Sequence, residues 1–371
     1  MNKTLKNVLK IVLCVFLGVI VLVAGYVGYY TFSYRRIGDK TLIVEKGNSN
    51  SGLYTSTTYS LLSWNVGFGA YSDDYSFFMD GGKYSRAFSE QAVKDNLNGV
   101  IKTLEDTAST YGVSSEYRFV CFQEVDFEST RSYGVSERNI LRNAFSTYWS
   151  TYAQNYNSPY LLYPFNSPHG ANKSGMLTLS KYVIDGANRV ELPVESGVAK
   201  YADLDRCLSV NRIPVSGGKT FVLINMHLTA YSSDGKIAKD QLKMLLDICK
   251  TETEAGNYVV CAGDFNQDLY GNASEVFGVD GKDYTWAKPF DKTMLDGTGM
   301  SLVIPGENAE EKVPSCRNAD APYEKGKQFV LTVDGFLVSS NITVDSSNVL
   351  DEGFKYSDHN PVCMKFRFKD K

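Results

Sequence analysis

The sequence has little histidine, no cysteine spacing typical of a metal site, and no surplus of positive charge. Only three of its 371 residues are histidines, and its seven cysteines include no C-x-x-C pair. This excludes the common cysteine-based zinc and redox motifs. We expect the cysteines outside the N-terminal apolar run to be buried free thiols that pack as small hydrophobic groups. One disulfide stays open as an alternative, and its pairing cannot be deduced. These cysteines are Cys121, Cys207, Cys249, Cys261, Cys316 and Cys363.

Charge is unevenly distributed along the chain. The 38 Lys and Arg residues against 42 Asp and Glu residues give a net charge of −4. Because the first 40 residues hold six basic residues and one acidic residue, the remaining chain has 32 against 41 and carries −9. An acidic body is a poor electrostatic match for unspecific binding to duplex nucleic acid. A nucleic-acid substrate is disfavoured but stays open, since carboxylates of a metal site contribute to the same sum.

The sequence has one long uncharged apolar run, at residues 11–30. A helix of that length spans about 30 Å, the thickness of a bilayer core. Three lysines precede the run and two arginines follow it, which favours a cytoplasmic N-terminus and a body outside the cytoplasm. A cleaved signal peptide is the alternative, but its apolar core is usually shorter and no A-x-A site follows the apolar run at the N-terminus.

The chain divides at this run into four predicted parts. Residues 1–10 form a basic cytoplasmic tail, residues 11–31 a transmembrane anchor, residues 32–58 a juxtamembrane linker, and residues 59–371 one large domain. Because residues 46–58 are rich in Gly, Ser, Asn and Thr, we expect this part of the linker to be a free stalk.

The body combines many strand patterns with few helical ones. Eight runs rich in Val, Ile, Phe and Leu are separated by turn residues and are typical of strands. Apolar spacing predicts helices at residues 91–111, 137–149 and 236–255. We find no internal repeat. This mixed order indicates one layered domain of the α/β or α+β class.

Several predicted strands end in a polar residue that is able to bind a metal ion or a phosphate. Because strand ends converge at one rim of a sheet, we expect these side chains to share a cleft. Carboxylates, carboxamides and imidazoles together suit a hard divalent cation and a phosphoester. The residues are Asn65 in LLSWN, Glu124 in FVCFQEVD, His227 in VLINMHL, Asp264 and Asn266 in VVCAGDFNQD, Asp334 in TVDGF, and Asp358 and His359 in YSDHNPV.

In this order the motifs resemble the endonuclease/exonuclease/phosphatase superfamily, which includes deoxyribonucleases, neutral sphingomyelinases and inositol-polyphosphate phosphatases. The resemblance covers about residues 59–368. It implies a four-layered αββα sandwich of two mixed β-sheets, dependence on Mg²⁺ or Mn²⁺, and hydrolysis of a phosphoester. Residues 59–371 would then be the catalytic domain.

The resemblance also implies a role for each matching residue. Glu124 would be the principal metal ligand, with Asn65 beside it and Asp358 assisting. Asp264 would orient or deprotonate the attacking water. Asn266 would hold a phosphate oxygen, and His359 would contact the scissile phosphate with Asp334 behind it. His227 would be the second imidazole, acting as an acid or as a phosphate ligand. His169 matches no catalytic motif, so we expect a structural role for it.

Two loop-like segments, residues 67–90 and 128–135, flank the presumed cleft. Their cations Arg86 and Arg131 are predicted to bind the substrate phosphate. Ordinary surface charge is the alternative. Arg317 is a third candidate. Many aromatic residues in the first segment suggest an apolar lip that suits a lipid or a stacked base equally.

The leading hypothesis is a single-pass, membrane-anchored phosphoesterase or phosphodiesterase of the cell membrane that works outside the cytoplasm. Its substrate would be a phospholipid headgroup, a small phosphate ester or a nucleic acid, and no obligate protein partner is inferred. The alternatives are an extracellular nuclease and a binding module that lost catalysis.

Overall fold

The computed structural model describes residues 3–195, 204–230, 235–281, 284, 286 and 288–369. Its first element is a 31-residue helix, α1 (Lys3–Ser33), in which no residue is buried. The helix is long and apolar enough to cross a membrane by its length and composition. Its position in a membrane and its orientation stay predictions.

Two large mixed sheets form the body, and each has seven strands in the described part of the chain. Sheet one has the strand order β15 (Ile342–Val349), β16 (Val362–Phe368), β3 (Thr58–Asn65), β4 (Phe119–Asp126), β6 (Lys173–Ser180), β5 (Trp149–Asn157) and β2 (Val44–Glu45). Sheet two has the order β1 (Lys40–Thr41), β7 (Gly186–Glu191), β8 (Cys207–Val215), β9 (Lys219–His227), β10 (Tyr258–Asp264), β14 (Asp334–Ser339) and β11 (Met300–Val303). A small ladder joins β12 (Cys316–Arg317) to β13 (Val330–Leu331).

The sheets pack face to face, and helices cover their outer faces. One apolar core lies between the sheets and includes Phe119, Phe221 and Phe366. The helices α2 (Glu90–Tyr111) and α3 (Glu137–Ala144) pack on sheet one, and α4 (Lys236–Glu254) packs on sheet two. A short helix, α5 (Ala273–Phe277), follows β10. The predicted four-layered αββα sandwich is confirmed. Because both faces of each sheet are covered, the central strands read as nearly continuous apolar runs.

Buried amide side chains cross the interface between the two sheets. Gln123 Nε2 of β4 donates to Asn225 Oδ1 of β9 over 2.8 Å, and Asn225 Nδ2 donates to Thr178 Oγ1 of β6 over 3.2 Å. A buried amide is costly unless it is hydrogen-bonded. These bonds therefore favour one alignment of sheet one against sheet two, beside the rim that carries Glu124.

The prediction of a free stalk at residues 46–58 is wrong. Directly before this segment, strand β1 pairs with β7 of sheet two, and β2 pairs with β5 of sheet one. Leu42 and Leu53 are buried in the core between the sheets, at 5% and 1% exposure. Gly47 and Gly52 lie so close to the backbone of Trp149 and Pro214 that no Cβ fits. The segment belongs to the body because Leu53 is buried and the backbone N–H groups of Asn48 and Leu53 donate to the carbonyl oxygens of Thr147 and Pro214, although its composition is polar.

All seven cysteines are free thiols, and the six in the body are buried. Cys249 Sγ lies 3.3 Å from Cys261 Sγ, between α4 and β10. Elsewhere the body cysteines lie in the apolar cores or beside the rim described below.

Candidate functional site

Strand ends of both sheets meet at one rim, and Asn65 joins the two sides. Asn65 ends β3 of sheet one, and its Nδ2 lies 3.3 Å from Glu124 Oε1 of β4. The same Nδ2 lies 3.2 Å from Asp264 Oδ2 of β10, in sheet two. The Asn65 carboxamide is held in place because its Oδ1 accepts from the backbone N–H of Gly67 over 3.0 Å. The structure thus brings the strand-end residues of both sheets together.

Asp264 lies at the centre of this cluster and is buried. Its Oδ1 accepts from the backbone N–H of Asn266 over 2.7 Å, and its Oδ2 lies 3.3 Å from His227 Nε2. Burial raises the pKa of Asp264 to about 7, with His359 opposing the rise and Asp334 adding to it. A carboxylate with a pKa near neutral pH has the proton affinity that a general base needs.

His359 and Asp334 form a tight pair on the other side of Asp264. His359 Nδ1 lies 2.7 Å from Asp334 Oδ2, which also accepts from Ser315 Oγ over 2.7 Å. Burial alone would lower the pKa of His359, but the charge of Asp334 raises it well above its ordinary value. At neutral pH His359 is therefore an imidazolium. Its Nε2 lies 3.8 Å from Asp264 Oδ2 and 3.6 Å from Cys316 Sγ.

His227 has the opposite protonation state. Burial, followed by the charges of Arg206 and His359, lowers the pKa of His227 well below its ordinary value. A neutral imidazole carries one N–H, and the contact with Asp264 places it on Nε2. His227 Nδ1 is buried without a hydrogen-bond partner in the described part of the chain. The two histidines of the cluster are thus one neutral donor and one cation.

Glu124 reaches the rim through an irregularity in β4. The β4–β6 register shifts between Phe122 and Val125, and Glu124 has φ +52°. Such bulges redirect a side chain out of the regular pleat. The Glu124 side chain is 28% exposed, whereas the preceding strand residues are buried. The carboxylate is therefore open to solvent on the side that faces the cleft.

Glu124 and Asp358 together suit a divalent cation. Burial raises the pKa of Asp358, and the negative charge of Glu124 raises it further, against the opposing charge of His359. Two carboxylates that repel each other at an open rim are stabilised by a divalent cation that prefers oxygen ligands. Asp264, Asp334 and His359 also offer ligand atoms within 4.8 Å of one another. In that group, however, Asp334 Oδ2 already bonds to His359 and Ser315.

Two glycines allow the backbone to pass close to these side chains. Gly263, before Asp264, has φ +147°, and a Cβ there would lie 1.9 Å from the carbonyl oxygen of Met226. Gly67 has φ +52°, and its Cβ would lie 2.9 Å from Asp358 Oδ1. Both positions thus require glycine for conformation and for space.

Asn266 and the loop that carries His359 are fixed by backbone contacts. Asn266 Nδ2 donates to the carbonyl oxygen of Leu228 over 2.8 Å, which orients its carboxamide. Ser357 Oγ donates to the carbonyl oxygen of Asn65 over 2.6 Å, and Trp64 Nε1 donates to that of His359 over 2.8 Å. The loop is therefore held against β3.

Arg131 differs from the prediction that it binds substrate phosphate from an open loop. Its side chain is 8% exposed, and its Nε and Nη2 donate to the two carboxylate oxygens of Asp126 over 2.9 and 2.8 Å. Its guanidinium lies 3.8 Å from the ring centre of Phe68. Its Nη2 lies 3.9 Å from Glu124 Oε2. The Arg131 side chain is therefore neither an ordinary surface charge nor available in an open loop to bind substrate phosphate. It lies behind the Glu124 side chain.

The other two cations predicted from the sequence, Arg86 and Arg317, donate to backbone carbonyl oxygens. Arg86 is half-buried, and its Nε donates to the carbonyl oxygen of Pro168. Arg317 is buried, and its Nη2 donates to the carbonyl oxygens of Ser72 and Tyr75 over 2.9 and 3.1 Å. Arg317 therefore fixes the loop after β3, and only Arg86 retains partial exposure.

His169 lies outside the cluster. Its Nδ1 contacts the carbonyl oxygen of Ser85 over 2.6 Å. Burial lowers the pKa of His169 to about 4, so it is neutral at physiological pH. Three further residues of the cluster were not predicted from the sequence: Ser315, Ser357 and the buried Arg206, whose charge lowers the pKa of His227. No sequence motif indicates these residues, because their roles depend on the side chains that they meet in the folded chain.

Comparisons with known proteins agree with this fold. The family model described as "Endonuclease/Exonuclease/phosphatase family" matches residues 62–359. No curated protein matches the sequence. A solved endonuclease/exonuclease/phosphatase from Beutenbergia cavernae is 15% identical with a TM-score of 0.57, and the match covers 84% of this chain and 72% of that one.

Two further solved structures are similar. The 2′,3′-cyclic phosphatase ANGEL2 is 16% identical with a TM-score of 0.53, over 89% of this chain and 99% of that one. A family protein from Leptotrichia buccalis is 13% identical with a TM-score of 0.51, over 84% of this chain and all of that one. At these identities the likeness shows the fold, whereas the family model covers most of the chain. The chain belongs to the endonuclease/exonuclease/phosphatase family.

Proposed function

We propose that this member of the endonuclease/exonuclease/phosphatase family hydrolyses a phosphoester by attack of water, with Mg²⁺ or Mn²⁺ bound at Glu124 and Asp358. The observation that carries the proposal is Asp264. It is a buried carboxylate with its pKa raised to about 7, and it lies between a neutral histidine and an imidazolium. A carboxylate with a raised pKa between two imidazoles is the kind of arrangement that clusters at catalytic sites.

Each side chain has a distinct task in this reaction. Asp264 accepts a proton from the attacking water as the water oxygen bonds to phosphorus and the P–O bond to the leaving group breaks. The leaving oxygen takes up a proton from solvent. His227 holds the Asp264 carboxylate in position through its Nε2–H. His359 donates its Nε2–H to a phosphate oxygen, while Asp334 holds its Nδ1 side. Asn266 offers its remaining amide hydrogen to another phosphate oxygen. Donors fixed in this way stabilise charge that develops during the reaction without first having to reorganise.

The carboxylates of Glu124 and Asp358 would hold the divalent ion, with the Asn65 carboxamide beside them. When bound, the ion offsets phosphate charge and polarises a phosphoryl oxygen. The repulsion between the two carboxylates supports this assignment. Arg86 is the remaining candidate for a cation that binds substrate phosphate.

Replacing Glu124 by Gln is expected to weaken metal affinity by at least about tenfold, since one charged oxygen ligand is lost. Activity would be measured in parallel on a lipid phosphodiester, an inositol phosphate and plasmid DNA, against Mg²⁺ and Mn²⁺ concentration. Excess metal should restore part of the variant's rate, and EDTA should abolish wild-type turnover. Glu128→Gln is a matched control, because Glu128 pairs with Lys173 at the surface. Full activity in EDTA would refute the metal-dependent reaction.

We further propose that α1 anchors the protein in the cell membrane with the body outside the cytoplasm. The uncharged run and the lysines before it support this orientation. Protease added to intact cells or protoplasts should remove the body from the anchor. A body that is protected in intact cells and is cut only after lysis would show the opposite orientation.

A further inference from the structure

The loop between β5 and β6, residues 158–172, exposes an apolar stretch at its tip. Leu162, Tyr163 and Phe165 are 39%, 57% and 83% exposed and lie within four consecutive positions. Scattered apolar side chains on a surface are ordinary, whereas a contiguous exposed group marks an interaction surface. We call these three residues the apolar tip.

The β5–β6 loop contacts the C-terminal part of α1. Tyr26 Oη donates to the carbonyl oxygen of Tyr160 over 3.2 Å and accepts from the backbone N–H of Leu162 over 3.2 Å. Tyr29 Oη accepts from the backbone N–H of Tyr160 over 3.1 Å. Tyr26 precedes the end of the apolar run at Tyr30 by four residues, about 6 Å along the helix. The loop therefore lies at the depth where tyrosines meet the headgroup layer of a bilayer.

The segment that joins α1 to the body is short and is bonded to the body, so the body cannot move away from the helix end. The helix ends at Ser33, and three residues later Arg36 Nη2 donates to the carbonyl oxygen of Leu192 over 3.0 Å. Arg36 Nε also lies 3.6 Å from Asp205 Oδ1, and the buried Arg189 donates to the carbonyl oxygens of Ile37 and Gly38. The chain after the helix is thus fixed to sheet two, and the apolar tip stays beside the helix end.

We propose that the apolar tip inserts into the headgroup layer of the leaflet that holds the C-terminal end of α1. This rests on the proposed anchoring by α1. The occupant is a lipid leaflet because the tip is continuous with the part of α1 that would lie in the membrane. Three large apolar side chains beside a bilayer gain free energy when they leave water.

The same placement turns the candidate active site toward the membrane. Strand β6 is antiparallel to both β4 and β5, so the loop that enters β6 lies at the edge where β4 ends. Glu124 lies two residues before the end of β4, and Arg86 Nε bonds to the carbonyl oxygen of Pro168 in the loop. The rim that binds metal and phosphate therefore opens on the side of the lipid headgroups.

The test uses the full chain in phosphatidylcholine vesicles and compares Phe165→Trp with Ile43→Trp. Ile43 is 81% exposed, but it adjoins β2, which pairs with the far end of β5, about 20 Å from the loop. The wild type provides the background emission of its three native tryptophans. When brominated phosphatidylcholine replaces the ordinary lipid, the added emission of Phe165→Trp should be lost, and that of Ile43→Trp should persist.

Vesicle flotation separates the possible failures. A chain that does not float with the vesicles overturns both the anchor and the docking of the apolar tip. A chain that floats while Phe165→Trp keeps its emission overturns the docking alone. If that emission instead shifts with protein concentration, the tip contacts a second copy of the chain, and the lipid assignment is wrong. None of these three outcomes bears on phosphoester hydrolysis, which is measured separately.

Discussion

Replacing His359 by Ala, or Asp264 by Asn, is expected to lower kcat by about 10²–10³-fold while the protein stays folded. Each substitution removes one preorganised group from the attack of water on the phosphoester. The measurement is kcat at saturating metal, on whichever phosphoester the wild type hydrolyses. Circular dichroism and the thermal transition of each variant would show that the fold survives.

The His359 effect follows from its charge and its support. Asp334 keeps His359 an imidazolium and fixes its Nδ1 side, and Ser315 holds Asp334 in turn. The Nε2–H is therefore charged and oriented before substrate arrives, so its donation to a phosphate oxygen strengthens as negative charge develops there. Alanine removes this donor and leaves Asp334 with a single side-chain partner.

Asp264→Asn removes the proton acceptor while it keeps the size and shape of the side chain. Asparagine has the same shape and keeps an oxygen for the backbone N–H of Asn266. It cannot accept a proton from water, although its amide replaces the oxygen that His227 contacts. A large fall in kcat with a nearly unchanged thermal transition would thus indicate lost base function.

Two matched variants control for nonspecific damage. Asp268, four residues after Asp264, accepts from the backbone N–H groups of Tyr270 and Ala273 over 3.1 and 2.9 Å. Asp268→Asn should lower stability with little change in kcat. His169→Gln should behave likewise, since His169 contacts the carbonyl oxygen of Ser85. Wild-type turnover in the His359 and Asp264 variants would show that the family mechanism does not apply to this chain.

Much of the rim was predictable because strand ends leave a signature in the sequence. Apolar runs that stop at Asn65, Glu124 and Asp264 indicate buried strands with polar ends, and the resemblance carried by the order of these motifs implies the layered sandwich. The positions of these ends in two sheets were not predictable, because only the Asn65 carboxamide and the packing of the sheets bring Glu124 and Asp264 together.

Other features could not be predicted from the sequence, for physical reasons. Residues 32–58 were predicted to be a linker, with a stalk at residues 46–58, yet two short strands and the side chains of Leu42 and Leu53 bind this part of the chain to the body. A few buried residues are sufficient to hold the segment against the body, and the average composition of the segment does not reveal them. Arg131 was predicted to bind substrate phosphate from a loop, because nothing in the sequence pairs it with Asp126, which lies five residues earlier in a strand. No local pattern shows that both side chains point to the same buried place.

Replacing Arg131 by Met is expected to lower the free energy of unfolding by about 3–5 kcal/mol, because it leaves Asp126 charged and buried without its main partner. Asp126 is fully buried, and of the side chains around it Ser132 Oγ would remain as a donor, at 3.1 Å. Burial alone would lower the pKa of Arg131, but Asp126 raises it above its ordinary value, so the guanidinium stays charged. Urea unfolding would measure the loss.

Two comparisons make the Arg131 result specific. Adding Asp126→Leu should recover part of the lost stability, since a buried pair replaced by apolar side chains leaves no unpaired charge. Arg138→Ala should cost less than about 1 kcal/mol, because Arg138 pairs with Glu45 where both side chains are 34% exposed. A stable Arg131 variant that only raises KM would restore the view of Arg131 as a phosphate ligand. A destabilised variant with rescue by Asp126→Leu would instead establish Arg131 as the support behind Glu124, which its 3.9 Å approach to Glu124 Oε2 indicates.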